Sequence, residues 1–245
     1  MVIDTHVHLG ESIYGFTATP EEVLASMEEN GIDISVVVPN KPKDYNLIKA
    51  NTYVAEQCSK YNRLKCLGRV DPWQGDAAIE EMKRCLDLGV VGFVLNPIED
   101  YYRVNRTISY PIAEFASKAK MPIVIESGYP HLSHPTQVYD LARRYPDVTF
   151  IMTNGGELDL SGFTRGDSQM VLHNAPNILI GSSGLCSHEI IMKTVRELGP
   201  ERLIFESAYP IMDTRLEILR ITTADIPEES KPVILAENAR RIFNI

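Results

Sequence analysis

Val2-Ile3-Asp4-Thr5-His6-Val7-His8-Leu9 opens the chain as an apolar, strand-forming run interrupted by two histidines at alternate positions. Side chains alternate faces along a strand, so His6 and His8 point to the same side. Working outward, comparable runs recur at Ile34–Val38, Leu64–Val70, Val90–Leu95, Pro122–Ser127, Val148–Thr153, Ile178–Gly181 and Arg202–Phe205. Most are continuously apolar and rich in Val and Ile, the pattern of parallel strands covered on both faces. Stretches of helical periodicity separate them. Thr19-Pro20-Glu21-Glu22 carries an N-cap, a proline at the first helical position and acids in the first turn. Asn30-Gly31, Leu88-Gly89 and Leu198-Gly199 mark helix ends, and the tail from Pro232 to Ile245 reads as a last helix.

Strand–helix alternation demands right-handed crossovers, and eight such units close into a ring. The expected fold is therefore α/β, a (β/α)8 TIM barrel forming a single domain over residues 1–245. A doubly wound open sheet would need a Gly-rich phosphate loop after the first strand, and His8-Leu9-Gly10-Glu11 is not one.

Composition narrows the function. A hydrophobic share of 44% and a charged share of 23% are those of an ordinary globular protein. The formal net charge of -9 and the absence of a Lys/Arg stripe argue against nucleic-acid binding. No run approaches the roughly 20 apolar residues of a membrane span, and no signal segment precedes Val2. The four cysteines form no C-x-x-C pair, which reads as reduced thiols in a cytoplasmic protein. Cys186, after a strand, is the one thiol with a place near a pocket. Arg165-Gly166-Asp167 and Asn105-Arg106-Thr107 spell adhesion and glycosylation motifs, but both need an extracellular setting and are taken as coincidence.

In a barrel, the C-terminal ends of the strands form the mouth where active sites lie. His6 and His8 there make half of a metal site, or two histidines hydrogen-bonded to neighbours. His131 and His134 follow the fifth run and His188 the seventh, in loops that line the mouth. Gly181-Ser182-Ser183-Gly184 is a weak candidate for an anion-binding loop. Substrate contacts are expected from Tyr14–Phe16, Asn40–Tyr45 and Glu99–Arg106, the last holding Tyr101, Tyr102, Arg103 and Arg106. His131, His134 and Arg103 are the substrate-binding candidates, and the ligand is a small molecule. Homo-oligomerisation is left open.

The chain resembles the amidohydrolase-related metal-dependent hydrolases and decarboxylases. The resemblance runs through Ile3-Asp4-Thr5-His6-Val7-His8, Asn30-Gly31-Ile32-Asp33 and Arg69-Val70-Asp71-Pro72. It continues through Gly92-Phe93, Met121-Pro122-Ile123-Val124-Ile125, Arg202-Leu203-Ile204-Phe205 and Ile234-Leu235-Ala236-Glu237-Asn238-Ala239-Arg240. Its catalytic positions match less well. A third family histidine, at the end of strand five, is replaced by Glu126, and a fourth, after strand six, by Asn154. The strand-eight aspartate is replaced by Ala208, and Val94 stands where some relatives bridge two metals with a lysine. The resemblance therefore implies at most one divalent metal, held by His6, His8 and Glu126. Zinc suits the set, as do iron(II) and manganese.

Glu206, two residues before Ala208, should share its inward face about 6.6 Å deeper and serve as general base. Asn154 would orient the substrate. The implied reaction is hydrolysis of an amide, ester or lactone, or decarboxylation of a small acid. The alternative is a metal-free interior cluster in a catalytically inactive homologue that binds a small ligand or regulates an active relative. A lesser third option is an isomerisation using the two glutamates.

Overall fold

The computed structural model describes residues 1–157, 164–185 and 187–245. Its strands are β1 (Ile3–Glu11), β2 (Thr17–Ala18), β3 (Ile34–Pro39), β4 (Leu64–Cys66), β5 (Gly68–Arg69), β6 (Phe93–Leu95), β7 (Ile123–Ile125), β8 (Phe150–Met152), β9 (Ile178–Gly181) and β10 (Leu203–Ile204). β2 pairs antiparallel with β1 as a hairpin arm, and every other ladder is parallel. β4 and β5 are two halves of one strand joined through Leu67, whose amide donates to Val37 O at 3.0 Å. Eight staves result. Beyond β10 the chain runs alongside β1: Thr5 N donates to Phe205 O at 3.1 Å, Ala208 N to His6 O at 2.9 Å and His8 N to Tyr209 O at 2.8 Å. These bonds close the TIM barrel.

The helices follow the strands: α1 (Pro20–Asn30), α2 (Leu47–Lys60), α3 (Asp76–Asp87), α4 (Tyr110–Ala119), α5 (Pro135–Ala142), α6 (Arg165–Asn174), α7 (Glu189–Leu198) and α8 (Thr214–Thr222). The start read at Thr19 is a full capping box with Glu22, and Gly31 ends α1 in the left-handed conformation that a glycine adopts without steric cost. The tail helix continues from α9 (Ser230–Pro232) through a π turn (Val233–Glu237) into α10 (Asn238–Phe243). No helix among the described residues is long and apolar enough to cross a membrane.

Strand alternation divides the core into two layers. Phe93, Leu95, Ile123, Ile125, Ile178 and Ile180 pack outward beneath the helices. Val94, Val124, Leu179 and Ile204 fill the interior, and Ala239 and Phe243 of α10 plug its lower end. β1 breaks the alternation. Between Asp4 and Val7 the ladder to β3 shifts register, so two residues of β1 oppose one of β3. That extra residue lets Ile3 face the interior near the floor while Val7 faces the helices, and it leaves the even positions, His6 and His8, facing inward at the mouth.

Candidate active site

His6, His8 and Glu126 converge at the C-terminal ends of β1 and β7, and one ligating atom from each lies within 4.8 Å of the others. The two imidazoles meet edge to face with centroids 4.8 Å apart. His6 Nε2 donates to Glu126 Oε1 at 2.7 Å, while its Nδ1 is buried with no hydrogen-bond partner. The fixed backbone beneath them explains the convergence. Asp4 Oδ1 accepts from Ser207 N at 2.9 Å and His6 N at 3.3 Å, and Glu126 N donates to Leu95 O at 3.0 Å.

The three groups form part of the wall of a cavity of about 180 Å³. Asn154, Ala208, Asn96 and Glu99 add polar or small groups, and Ile98, Ile211 and Met212 make it largely apolar. A groove of about 430 Å³ between β1 and α2 is larger, but no converging ligand set faces it, so size alone does not locate the chemistry. The donor set, two imidazoles and a carboxylate with one nitrogen uncommitted, fits a single zinc, iron(II) or manganese ion with open positions. Ala208 presents only a methyl group, and Val94 lies in the apolar interior layer.

Glu206 is completely buried and lies off the cavity wall. Its carboxylate lies over Gly181, where an added Cβ would stand 1.8 Å from Oε2; a side chain on β9 would evict it. The stretch read as an anion loop is thus the bed of this acid. Ser182 Oγ accepts from Glu206 N at 3.1 Å, and Ser183 Oγ lies 3.1 Å from Glu206 Oε2. Ser183 also donates to Asn154 Oδ1 at 2.9 Å, Asn154 Nδ2 to Thr153 Oγ1 at 3.2 Å, and Thr153 Oγ1 to Glu126 Oε2 at 3.2 Å. A chain of side chains therefore links the buried acid to the ligand set. A hydroxyl has one hydrogen. Ser183 can satisfy both Asn154 and Glu206 only if the carboxyl is protonated, and burial raises its pKa to about 7.

The other predicted residues lie elsewhere. His134 caps α5, with Nδ1 on Thr136 and Nε2 3.3 Å from Asp167 Oδ2, and does not line the cavity. His131 and Arg103 line a separate depression on the same rim. Cys186 lies outside the described residues. Arg69, which opens the Arg69-Val70-Asp71-Pro72 stretch, is buried beside the site. Its guanidinium binds Glu99 at 2.6 Å and Asp100 at 3.1 Å, and Lys41 adds a 2.8 Å bond to Asp100. The sequence did not set it apart, since the run Leu64–Val70 also carries Lys65, and only the partners that a buried cation requires distinguish Arg69.

The family model described as Amidohydrolase matches residues 3–245. Gamma-resorcylate decarboxylase from Rhizobium sp. (strain MTP-10005) is 21% identical over 281 residues, covering 91% of this chain and 86% of the relative. The crystal structure of 5-carboxyvanillate decarboxylase from Sphingomonas paucimobilis superposes with a TM-score of 0.79 at 20% identity, covering 100% of this chain and 99% of that one. The corresponding enzyme from Novosphingobium aromaticivorans, complexed with manganese and 4-hydroxy-3-methoxy-5-nitrobenzoic acid, gives 0.81 at 16%, covering 100% and 96%.

Proposed function

The chain belongs to the amidohydrolase family, and from that premise we propose that it is a metal-dependent decarboxylase of a small aromatic acid. One observation carries the reading: two imidazoles from the first stave and a carboxylate from the fifth meet within 4.8 Å in the wall of an otherwise apolar cavity. The decarboxylases among its relatives support the reaction type, and the manganese complex of one supports a divalent ion. His6, His8 and Glu126 would hold one such ion, which when bound supplies Lewis-acid stabilisation of negative charge on substrate oxygens.

The chain's own residues do the rest. Decarboxylation breaks the bond between ring carbon and carboxylate; its electron pair stays on the ring carbon, which takes a proton as carbon dioxide leaves. Ile98, Ile211 and Met212 would exclude water around the ring. Asn154, held through its oxygen by Ser183, would present its amide to the substrate. Ala208 can move no proton. Glu99 is the one other carboxyl on the wall outside the ligand set and would relay a proton from solvent to the ring carbon, its pKa raised by burial against the pull of Arg69. Glu206 would act from behind, as a positioning group for Asn154.

The test begins with bound metal measured by plasma mass spectrometry on protein purified without chelators. It is followed by carbon dioxide release from 2,6-dihydroxybenzoate and 5-carboxyvanillate. Near-stoichiometric metal, absent from the His6→Ala/His8→Ala variant, and turnover of such acids are expected. No bound metal after incubation with excess ion would end the proposal. Metal with turnover of amides, esters or lactones instead would assign hydrolysis.

A further inference from the structure

We propose a second ligand site on the rim of the barrel, which takes a phosphoryl-type dianion in the depression formed by the loops that follow β6 and β7. It is independent of the proposed reaction. The depression measures about 510 Å³ and is lined by Tyr101, Tyr102, Arg103, Arg106, His131 and Leu132, with no acid among them. In a chain of net charge -9, two guanidiniums around one hollow are against the prevailing sign.

Charge pairing around it strengthens the case. Of the nearby acids, Glu99 pairs with Arg69, Asp100 with Arg69 and Lys41, and Asp140 with Arg143 and Asn105, while Asp71 accepts from Trp73 N at 2.9 Å. Among the described residues, no carboxylate pairs with Arg103, Arg106 or His131. Nor is the hollow a loose fringe. Val104 N donates to Leu132 O at 2.8 Å, which ties the two loops together. The Arg106 guanidinium rests 5.6 Å from the Trp73 ring centroid, and Trp73 is itself anchored through Nε1 on Asp100 O at 3.0 Å. Tyr101 is held at φ 53, a left-handed conformation costly for a non-glycine residue, and the residue is 79% exposed. Guanidiniums bind phosphate oxygens in bidentate fashion, and two of them balance the charge of a dianion while the imidazole of His131 offers a further N–H donor. An exposed tyrosine ring beside them suits a phosphoryl group carried on a flat molecule.

Isothermal titration with phenyl phosphate, inorganic phosphate and phenol tests the site. Phenyl phosphate should bind one to one, phenol should not, and Arg103→Ala/Arg106→Ala should weaken binding by about tenfold or more. Both arginines are exposed, so the variant should keep the wild-type melting temperature. Tighter binding of phenyl phosphate than of inorganic phosphate identifies a carried phosphoryl group, and equal affinities identify free phosphate. No saturable binding of either anion, or binding unchanged in the double variant, overturns the proposal.

Discussion

His6 Nε2 stands 2.7 Å from Glu126 Oε1, a contact across the barrel between opposite staves with both side chains nearly dry. Burial alone would lower the imidazole pKa, but the charge and hydrogen bond of Glu126 outweigh it and raise the value to about 9. Burial would likewise raise the carboxyl, and His6 instead brings it to about 2. His8, buried and beside the charge on His6, falls to about 4. Without metal, then, the site at neutral pH holds one imidazolium, one neutral imidazole and one carboxylate.

A divalent ion taking His6 must displace its proton. Affinity for zinc should therefore rise about tenfold per pH unit toward 9 and level off above it, with one proton released per ion at pH 7. Titration calorimetry in two buffers of different ionisation heat measures the proton count. Zinc binding with no proton released would remove His6 from the ligand set.

Glu206 gives a stability prediction of opposite sign to the usual acid. Its folded pKa, about 7, lies above the ordinary value of 4.5 because burial disfavours the charge. The wild type should lose stability as pH rises from 4.5 through 7, and Glu206→Gln should escape that loss. The variant should gain on the wild type by roughly 3 kcal/mol between pH 4.5 and 8. Urea unfolding across that range decides it, since a pH-independent difference would mean the acid is not held neutral.

Ala208 sits at φ 54, in the left-handed region, on the cavity wall. Ala208→Gly should stabilise the fold by about 1 kcal/mol in thermal unfolding. Ala208→Asp would bring a carboxylate to the same wall and should tighten zinc binding by about tenfold or more. Unchanged affinity would show that this position does not reach the ligand set.

Arg69→Met should cost about 3–5 kcal/mol, because it strands Glu99 and half of the pairing of Asp100 out of water. Denaturant melts measure this directly. A loss below about 1 kcal/mol would mean that Lys41 alone neutralises both acids.

The staves were legible because parallel strands buried on both faces leave continuous apolar runs, and α1 was legible because its capping box is local. The runs overstate strand length: Val148–Thr153 yields Phe150–Met152, since the ladder stops where Thr153 and Asn154 turn toward the mouth. The inward parity of His6, His8 and Glu206 followed from alternation. The register shift in β1 did not, because a bulge is set by pairing with β3 and not by composition. Arg69, Glu99 and the bed of Glu206 on Gly181 were hidden for the same reason: each depends on contacts between residues distant in sequence. His134 reads as a loop histidine in sequence, and only the start of α5 reveals it as a cap.

β1 carries both imidazoles and also zips the ring shut against residues 205–209. Whatever bridges β1 to Glu126 thus works as a crossbar pinning the barrel's own join. Filling the site should slow solvent exchange of the Thr5, His8 and Ala208 amides, so that occupancy of the pocket can be read in the cohesion of the chain's first strand.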